Sequence, residues 1–116
     1  MKKLNKLKGD IGENIACNYL KKQNYRIIET NYRTKTEEID IIAQEKSGII
    51  VFVEVKSRSS FEFGRPCEAV GVNKQKKIRC GAEFYLKTKK LYDAPCRFDV
   101  IEIFDDEINH IKDAFW

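Results

Sequence analysis

The sequence predicts a single α/β domain over residues 1–116, with a mixed β-sheet flanked by helices in the order αβββαββ. Two segments repeat apolar residues at helical spacing, and five shorter segments are rich in β-branched and aromatic residues. We find no internal repeat, low-complexity segment or linker that would divide the chain. A chain of 116 residues with 42% hydrophobic content has a modest core, so we look for one functional site.

The first helix and the first strand are predicted from the opening third of the chain. The helix runs from Asp10 to about Gln23, with Glu13 at the margin of its apolar face. That face consists of Ile11, Ile15, Ala16, Tyr19 and Leu20. The strand covers Tyr25–Tyr32 and stops at the polar run 33–36.

The next two strands form a predicted β-hairpin. Residues 38–43 alternate at their start, and residues 49–56 are a near-continuous apolar run typical of a buried strand. With the turn centred near Ser47, residues whose numbers sum to 94 oppose each other. Asp40 then faces Glu54, and Glu38 faces Lys56.

These opposed charges make the hairpin the candidate site. Two carboxylates directly opposite each other are destabilising unless a cation or a proton lies between them. Hard oxygen ligands favour Mg²⁺ or Mn²⁺, so Asp40 and Glu54 are the predicted metal ligands. Lys56 would then hold a water or stabilise charge on a phosphate. The alternative is an exposed strand end with an ordinary Glu54–Lys56 ion pair.

The second half of the chain predicts a loop, a helix and two strands. Ser57–Pro66 is the loop, and Asn73 caps a helix that runs to about Lys87. The apolar stripe of this helix is Ile78, Ala82, Tyr85 and Leu86, and its first turns carry Lys74, Lys76, Lys77 and Arg79. Cations are unfavourable at that end of the helix dipole, which suggests phosphate binding, although a solvated face explains them equally well. The strands are Arg97–Phe104 and Ile108–Ile111, with a turn at 105–106.

Charge and cysteine content narrow the class of protein. Residues 1–36 hold nine bases and three acids and residues 56–90 hold ten and three, whereas residues 37–55 hold five acids and one base. Basic segments around an acidic centre suit a metal-using enzyme that binds a polyanion, because Lys and Arg hold phosphates while carboxylates hold cations, although solubility alone explains the segments too. The cysteines, Cys17, Cys67, Cys80 and Cys96, lack zinc-site spacing and are expected to be free and mostly buried. Without a membrane span or signal peptide, we expect a cytoplasmic protein with no membrane contact.

Taken in order, the motifs resemble the YraN-like family of small uncharacterised bacterial proteins. That family is placed in the PD-(D/E)xK nuclease superfamily, with restriction endonucleases and archaeal Holliday junction resolvases. The matching pieces, which span nearly the whole chain, are Gly9–Glu13 with Ala16 and Tyr19-Leu20, Asn31–Arg33, Glu38–Ala43, Phe52–Arg58, Phe63-Gly64 with Pro66, Lys74, Arg97–Val100 and Ile111–Phe115. One departure is Glu37, where the family usually has Gly, which puts the local turn conformation in question.

The resemblance implies a restriction endonuclease-like core with a Mg²⁺ or Mn²⁺ ion on Asp40 and Glu54, assisted by the Val55 carbonyl, and with Lys56 as the catalytic lysine. Glu13 matches an additional catalytic acid of resolvase-like members, or is simply a helix-start acid.

The implied activity is hydrolysis of DNA, with branched or structured DNA as a candidate substrate, DNA being favoured over RNA. A homodimer follows by analogy with resolvases. Arg58, Arg65 and Lys74 are candidates for phosphate contacts or ordinary surface charges, and Asp99 is expected to be structural. The alternative is a module that binds nucleic acid without cutting it.

Overall fold

A computed structural model describes the backbone of residues 2–58, 71–105 and 107–115, and the side chains of these residues from Ile11 onward except that of Arg58. The element order is αβββαββ, as predicted. The elements are α1 (Lys2–Lys22), β1 (Arg26–Arg33), β2 (Glu38–Gln44), β3 (Ile50–Arg58), α2 (Val72–Thr88), β4 (Cys96–Phe104) and β5 (Glu107–Phe115).

The five strands form one mixed sheet in the order β1-β2-β3-β4-β5. Neighbours are antiparallel except for β3 and β4, which are parallel because the chain returns through α2. One helix covers each face. Ala16 and Leu20 of α1 pack on one face against Ile41, Val51 and Ile101, and the second core cluster lies with α2 on the other face. The central strands are thus buried on both sides, which explains the apolar run in β3.

The first helix differs from its predicted extent and apolar face. It begins at Lys2, eight residues earlier than predicted, in a segment rich in the helix formers Lys and Leu. Ile11 and Ile15 are 53% and 37% exposed, so they lie outside the buried stripe, which is made by Gly12, Ala16 and Leu20. The helix ends at Lys22, and in the turn that follows Asn24 adopts φ 68° while the Tyr25 N–H bonds to the Leu20 carbonyl at 2.9 Å.

The second helix and the last strand also differ at their ends. The residue that caps α2 is Gly71, and no side chain caps the helix, so the prediction of Asn73 as the N-cap is wrong. The predicted stripe is confirmed, because Ile78, Ala82 and Tyr85 are buried. Strand β5 extends to Phe115, whose ring stacks on Phe98 with centroids 5.2 Å apart.

The described cysteines are free, as expected, but they are not mostly buried. Cys80 is exposed on α2, and Cys17 and Cys96 are half-buried. Cys67, the turn residue Asp106 and most of the predicted 57–66 loop lie outside the described residues. Among the described helices, neither is long and apolar enough to span a membrane.

Candidate active site

The β2–β3 hairpin has the predicted register up to the point where its strands separate. The ladder pairs Ile41 with Val53 and Ala43 with Val51, so paired numbers sum to 94 as expected. Backbone pairing ends at Ile41–Val53, however, so Asp40–Glu54 and Glu38–Lys56 are not ladder pairs. The two strands diverge at Asp40.

Side-chain alternation in β2 breaks at the same residue. Ile39 packs in the α2-side core, although Ile41 and Ala43 pack in the α1-side core. Residues two apart in a regular strand share a face, so the strand twists at Asp40. Where the ladder stops, the Val55 N–H donates a hydrogen bond to Oδ2 of Asp40 at 2.9 Å. The Asp40 side chain is thereby held between the two strand ends.

Asp40 and Glu54 bring their carboxyl groups within hydrogen-bonding reach of each other. Burial raises the pKa of Asp40, against the opposing effect of the Val55 N–H. Burial and the repulsion of Asp40 raise the pKa of Glu54 to about 7, although Lys74 and Lys56 counteract them. Two carboxyls at this separation need a proton or a cation between them. Near neutral pH the pair could therefore share a proton or hold a cation.

Glu54 also has an unsatisfied buried oxygen. Its side chain is 5% exposed, and Oε2 has no hydrogen-bond partner within the described part of the chain. A buried acceptor left without a partner costs about 1–3 kcal/mol, and more when it is charged. A divalent cation would satisfy Oε2 and relieve the repulsion by Asp40 together.

Two lysines approach the other oxygen of Glu54. Nζ of Lys56 lies 3.8 Å from Oε1, and Nζ of Lys74 lies 3.6 Å from the same atom. Glu54 and Lys56 share a face of β3, as predicted, whereas Lys74 comes from the first turn of α2. The sequence suggested Lys74 only as a phosphate contact, and the structure places it as close to the carboxylate pair as Lys56.

The carboxylate pair suits a hard divalent cation. Mg²⁺ is commonly held by one or two carboxylates and keeps several waters, so two acids are a sufficient protein donor set. Within residues 11–57, 71–105 and 107–115 no group of three or more His, Cys, Asp or Glu side chains forms a metal site. The two carboxylates thus offer oxygen ligands, and any remaining positions would belong to water or substrate.

Glu13 does not come from α1 to meet this pair as a third clustered acid. Its carboxylate faces the amide of Asn31 on β1, whose Nδ2 lies 3.0 and 3.1 Å from the two oxygens when the amide is oriented to donate. The catalytic role suggested for Glu13 stays a prediction. The neighbouring Gly12 brings α1 against the end of β3, where an added Cβ would collide with Oγ of Ser57.

The β1–β2 turn beside the site is stabilised by an ion pair and by hydrogen bonds. Nη2 of Arg33 lies 3.3 Å from Oε1 of Glu38, and the two side chains form an ion pair. Thr34 donates to Oε2 of Glu37 at 2.6 Å and accepts the Glu37 N–H at 3.0 Å. Glu37 is not among the positive-φ residues, so this turn does not need the glycine usual in similar sequences.

Two of the three residues predicted to contact phosphate cannot be placed relative to the carboxylate pair. The side chain of Arg58 and all of Arg65 lie outside the described residues. Lys74 is described, and it faces Glu54.

Glu102 is a neighbour of the site that the sequence reasoning missed. It is 4% exposed and pairs with Lys56 across the parallel β3–β4 ladder. Paired residues of parallel strands point to the same side, so Glu102 shares a face with Lys56 and Glu54. The alternation of β4 indicates which face of the sheet Glu102 occupies. Only the β3–β4 register shows that Glu102 lies beside Lys56.

Asp99 is structural, as expected, and centres a polar network away from the carboxylate pair. The Arg97 Nε–H donates to its Oδ1 at 3.0 Å, and His110 Nε2 lies 2.7 Å from its Oδ2. The Asp113 N–H also donates to Oδ1 at 3.0 Å. Arg97 further contacts Glu45, in the turn that follows β2. These bonds join the β2–β3 turn, β4 and β5, and the sequence did not reveal that His110 takes part in them.

Comparisons with known proteins agree on one family. The sequence model of the uncharacterised protein family UPF0102 matches residues 12–103. A UPF0102 protein of Clostridioides difficile is 52% identical over 113 residues, covering 96% of this chain and 98% of that protein. UPF0102 proteins of Clostridium botulinum (strain Alaska E43) and Alkaliphilus metalliredigens are each 48% identical and cover 99% and 97% of this chain, and 98% and 100% of their own lengths.

Proposed function

This chain belongs to the uncharacterised protein family UPF0102, and from the geometry of its site we propose that it is a metal-dependent nuclease that hydrolyses DNA phosphodiester bonds. The observation that carries the proposal is the pair of half-buried Asp40 and buried Glu54, with an unsatisfied oxygen on Glu54 and two lysines at its edge. The resemblance of the hairpin motif to PD-(D/E)xK nucleases supports the same reading.

Each residue has a part that follows from its position. Asp40 and Glu54 would hold Mg²⁺ or Mn²⁺, which polarises a phosphoryl oxygen and lowers the pKa of a bound water. Lys56 is one-third exposed beside Glu54, so its ammonium group is free to orient a water or to stabilise charge growing on the phosphate. Lys74 holds a second positive charge at the same edge.

A second candidate is a module that binds nucleic acid without cutting it. Four cations line a groove beside the carboxylates, and phosphate binding by such cations requires no metal and no bond cleavage. The same fold often serves different functions, so a measurement of cleavage activity is needed to distinguish the two candidates.

Cleavage of labelled linear, flapped and four-way DNA in Mg²⁺, Mn²⁺ or EDTA tests the proposal. We expect Mg²⁺-dependent cleavage by the wild type and a loss of about 100-fold or more in Glu54→Gln and Lys56→Ala. Glu83→Gln and Lys87→Ala, which change exposed residues of α2, are the matched controls and should cut normally. Activity that persists in EDTA or in both site variants would refute the nuclease proposal. Binding of DNA without any cleavage would favour the second candidate.

A further inference from the structure

A groove runs between the β1–β2 turn and the start of α2. Its volume is about 480 Å³, and its lining consists of residues 33–38 of the turn with Lys74 and Lys77 of the helix. We call it the turn–helix groove. Its charged residues, within the described part of the chain, are four cations and two acids, so these residues give it a positive balance.

Both acids of the groove are already engaged by neighbours. Glu37 accepts a hydrogen bond from Thr34, and Glu38 contacts Arg33. Lys35 and Lys77 form no ion pair within 4 Å in the part of the chain that the structure describes. Both lysines are exposed, so an anion from solution can reach their charges, although Lys77 also helps to lower the pKa of Glu37.

The walls of the groove are held in place before any ligand arrives. The Thr34 N–H bonds to the Glu37 carbonyl at 2.9 Å and closes the turn. Gly81 lets α2 approach that turn closely, because a Cβ at this position would lie 3.2 Å from Ile39 and 3.3 Å from Glu37. A preformed site loses little conformational entropy on binding.

Lys74 connects the groove with the carboxylate pair. It lines the groove, and its Nζ lies 3.6 Å from Oε1 of Glu54. An anion bound in the groove therefore lies next to Lys74, at the edge of the carboxylate pair. A ligand with regularly spaced negative charges would contact the other groove cations and Lys74 together.

We propose that the turn–helix groove binds the backbone phosphates of one nucleic-acid strand and so directs the adjoining phosphodiester toward Asp40 and Glu54. This inference rests on the proposed nuclease function for its last step only. Among the residues that the structure describes, the lining has Arg, Lys, Thr and Glu but no aromatic ring on which a base would stack. Contacts to phosphate alone carry no sequence information, so the groove binds strands with little sequence preference.

The test is binding of a fluorescent single-stranded oligonucleotide in EDTA, where metal-dependent cleavage is blocked. The double variant Lys35→Ala/Lys77→Ala removes two groove charges, and Lys46→Ala/Lys87→Ala removes two exposed lysines elsewhere as the matched control. We expect the groove variant to lower the slope of log affinity against log salt by about 1.4, from about 0.7 per single-strand phosphate contact. The control should keep the wild-type slope.

The outcomes separate this inference from the nuclease proposal. An unchanged slope in the groove variant, an equal loss in the control, or no binding by the wild type would overturn the groove. If the groove variant loses binding while the wild type never cuts DNA in Mg²⁺, the groove stands and the nuclease proposal falls. If Glu54→Gln abolishes cleavage while the groove variant binds like wild type, the nuclease stands without the groove.

Discussion

Replacing Glu54 with Gln should stabilise the metal-free protein, and the gain should grow with pH. The pKa of Glu54 is raised from 4.5 to about 7 by burial and by Asp40. A carboxyl with a raised folded-state pKa contributes no penalty below its unfolded pKa, and stability is lost as pH climbs from there through the folded pKa. At about 1.4 kcal/mol per pKa unit, this shift corresponds to about 3 kcal/mol. The side chain is 5% exposed, so water screens little of that penalty.

Urea unfolding in EDTA from about pH 5 to pH 8 measures this effect. The free energy of unfolding of Glu54→Gln relative to wild type should rise by up to about 3 kcal/mol across that range. Part of the gain is offset because Lys56 and Lys74 lose their charged partner. Glu83→Gln, at an exposed α2 position, is the control and should parallel the wild type. A difference between Glu54→Gln and wild type that does not change with pH would refute the reasoning.

Two further substitutions test the contacts around the site. Asp99→Asn should lower the free energy of unfolding by about 3–5 kcal/mol at neutral pH, because it removes a buried charge that pairs with Arg97. Burial would raise the pKa of Asp99, but bonds from His110, Arg97 and the backbone of Asp113 lower it overall, so this stabilisation is present above the usual Asp pKa and disappears as pH falls through the folded value. If urea unfolding at pH 7 shows that Asp99→Asn lowers the free energy of unfolding by less than about 1 kcal/mol, the stabilising role of the Asp99 network is contradicted. Gly12→Ala should cost about 1 kcal/mol through its collision with Ser57, and Ser57→Ala should remove most of that cost in a double-mutant cycle. If Gly12→Ala lowers the free energy of unfolding by the same amount in the Ser57→Ala background, the cost does not come from the collision with Ser57.

The hairpin was predictable from the sequence because its information is local. A short turn sets the register, and alternation then puts Glu54 and Lys56 on one face. The separation of the strands at Asp40 was not predictable, because no local pattern marks it; it coincides with the packing of Ile39 against α2 at Gly81. A hairpin register alone extends the ladder past Ile41–Val53 to Asp40–Glu54 and Glu38–Lys56, which are not paired.

Contacts between distant segments were the part of the site that the sequence did not reveal. Lys74 meets Glu54 only because α2 packs over β2 with its first turn beside β3, and Glu102 lies beside Lys56 only through the parallel β3–β4 pairing. Both follow from the path of the chain, which local patterns do not specify. The start of α2 is a similar case, since Gly71 occupies the cap while Asn73 lies inside the helix.

Direct titration of Mn²⁺, with the free ion followed by electron paramagnetic resonance, tests most directly whether the carboxylate pair is a metal centre. The wild type should bind Mn²⁺ at a saturable site that Mg²⁺ competes for. Asp40→Asn and Glu54→Gln should lose this site, and Glu83→Gln should keep it, since Glu83 is an exposed α2 residue. Absence of saturable binding by the wild type, or equal binding by Glu54→Gln, would contradict the metal centre and the nuclease proposal built on it.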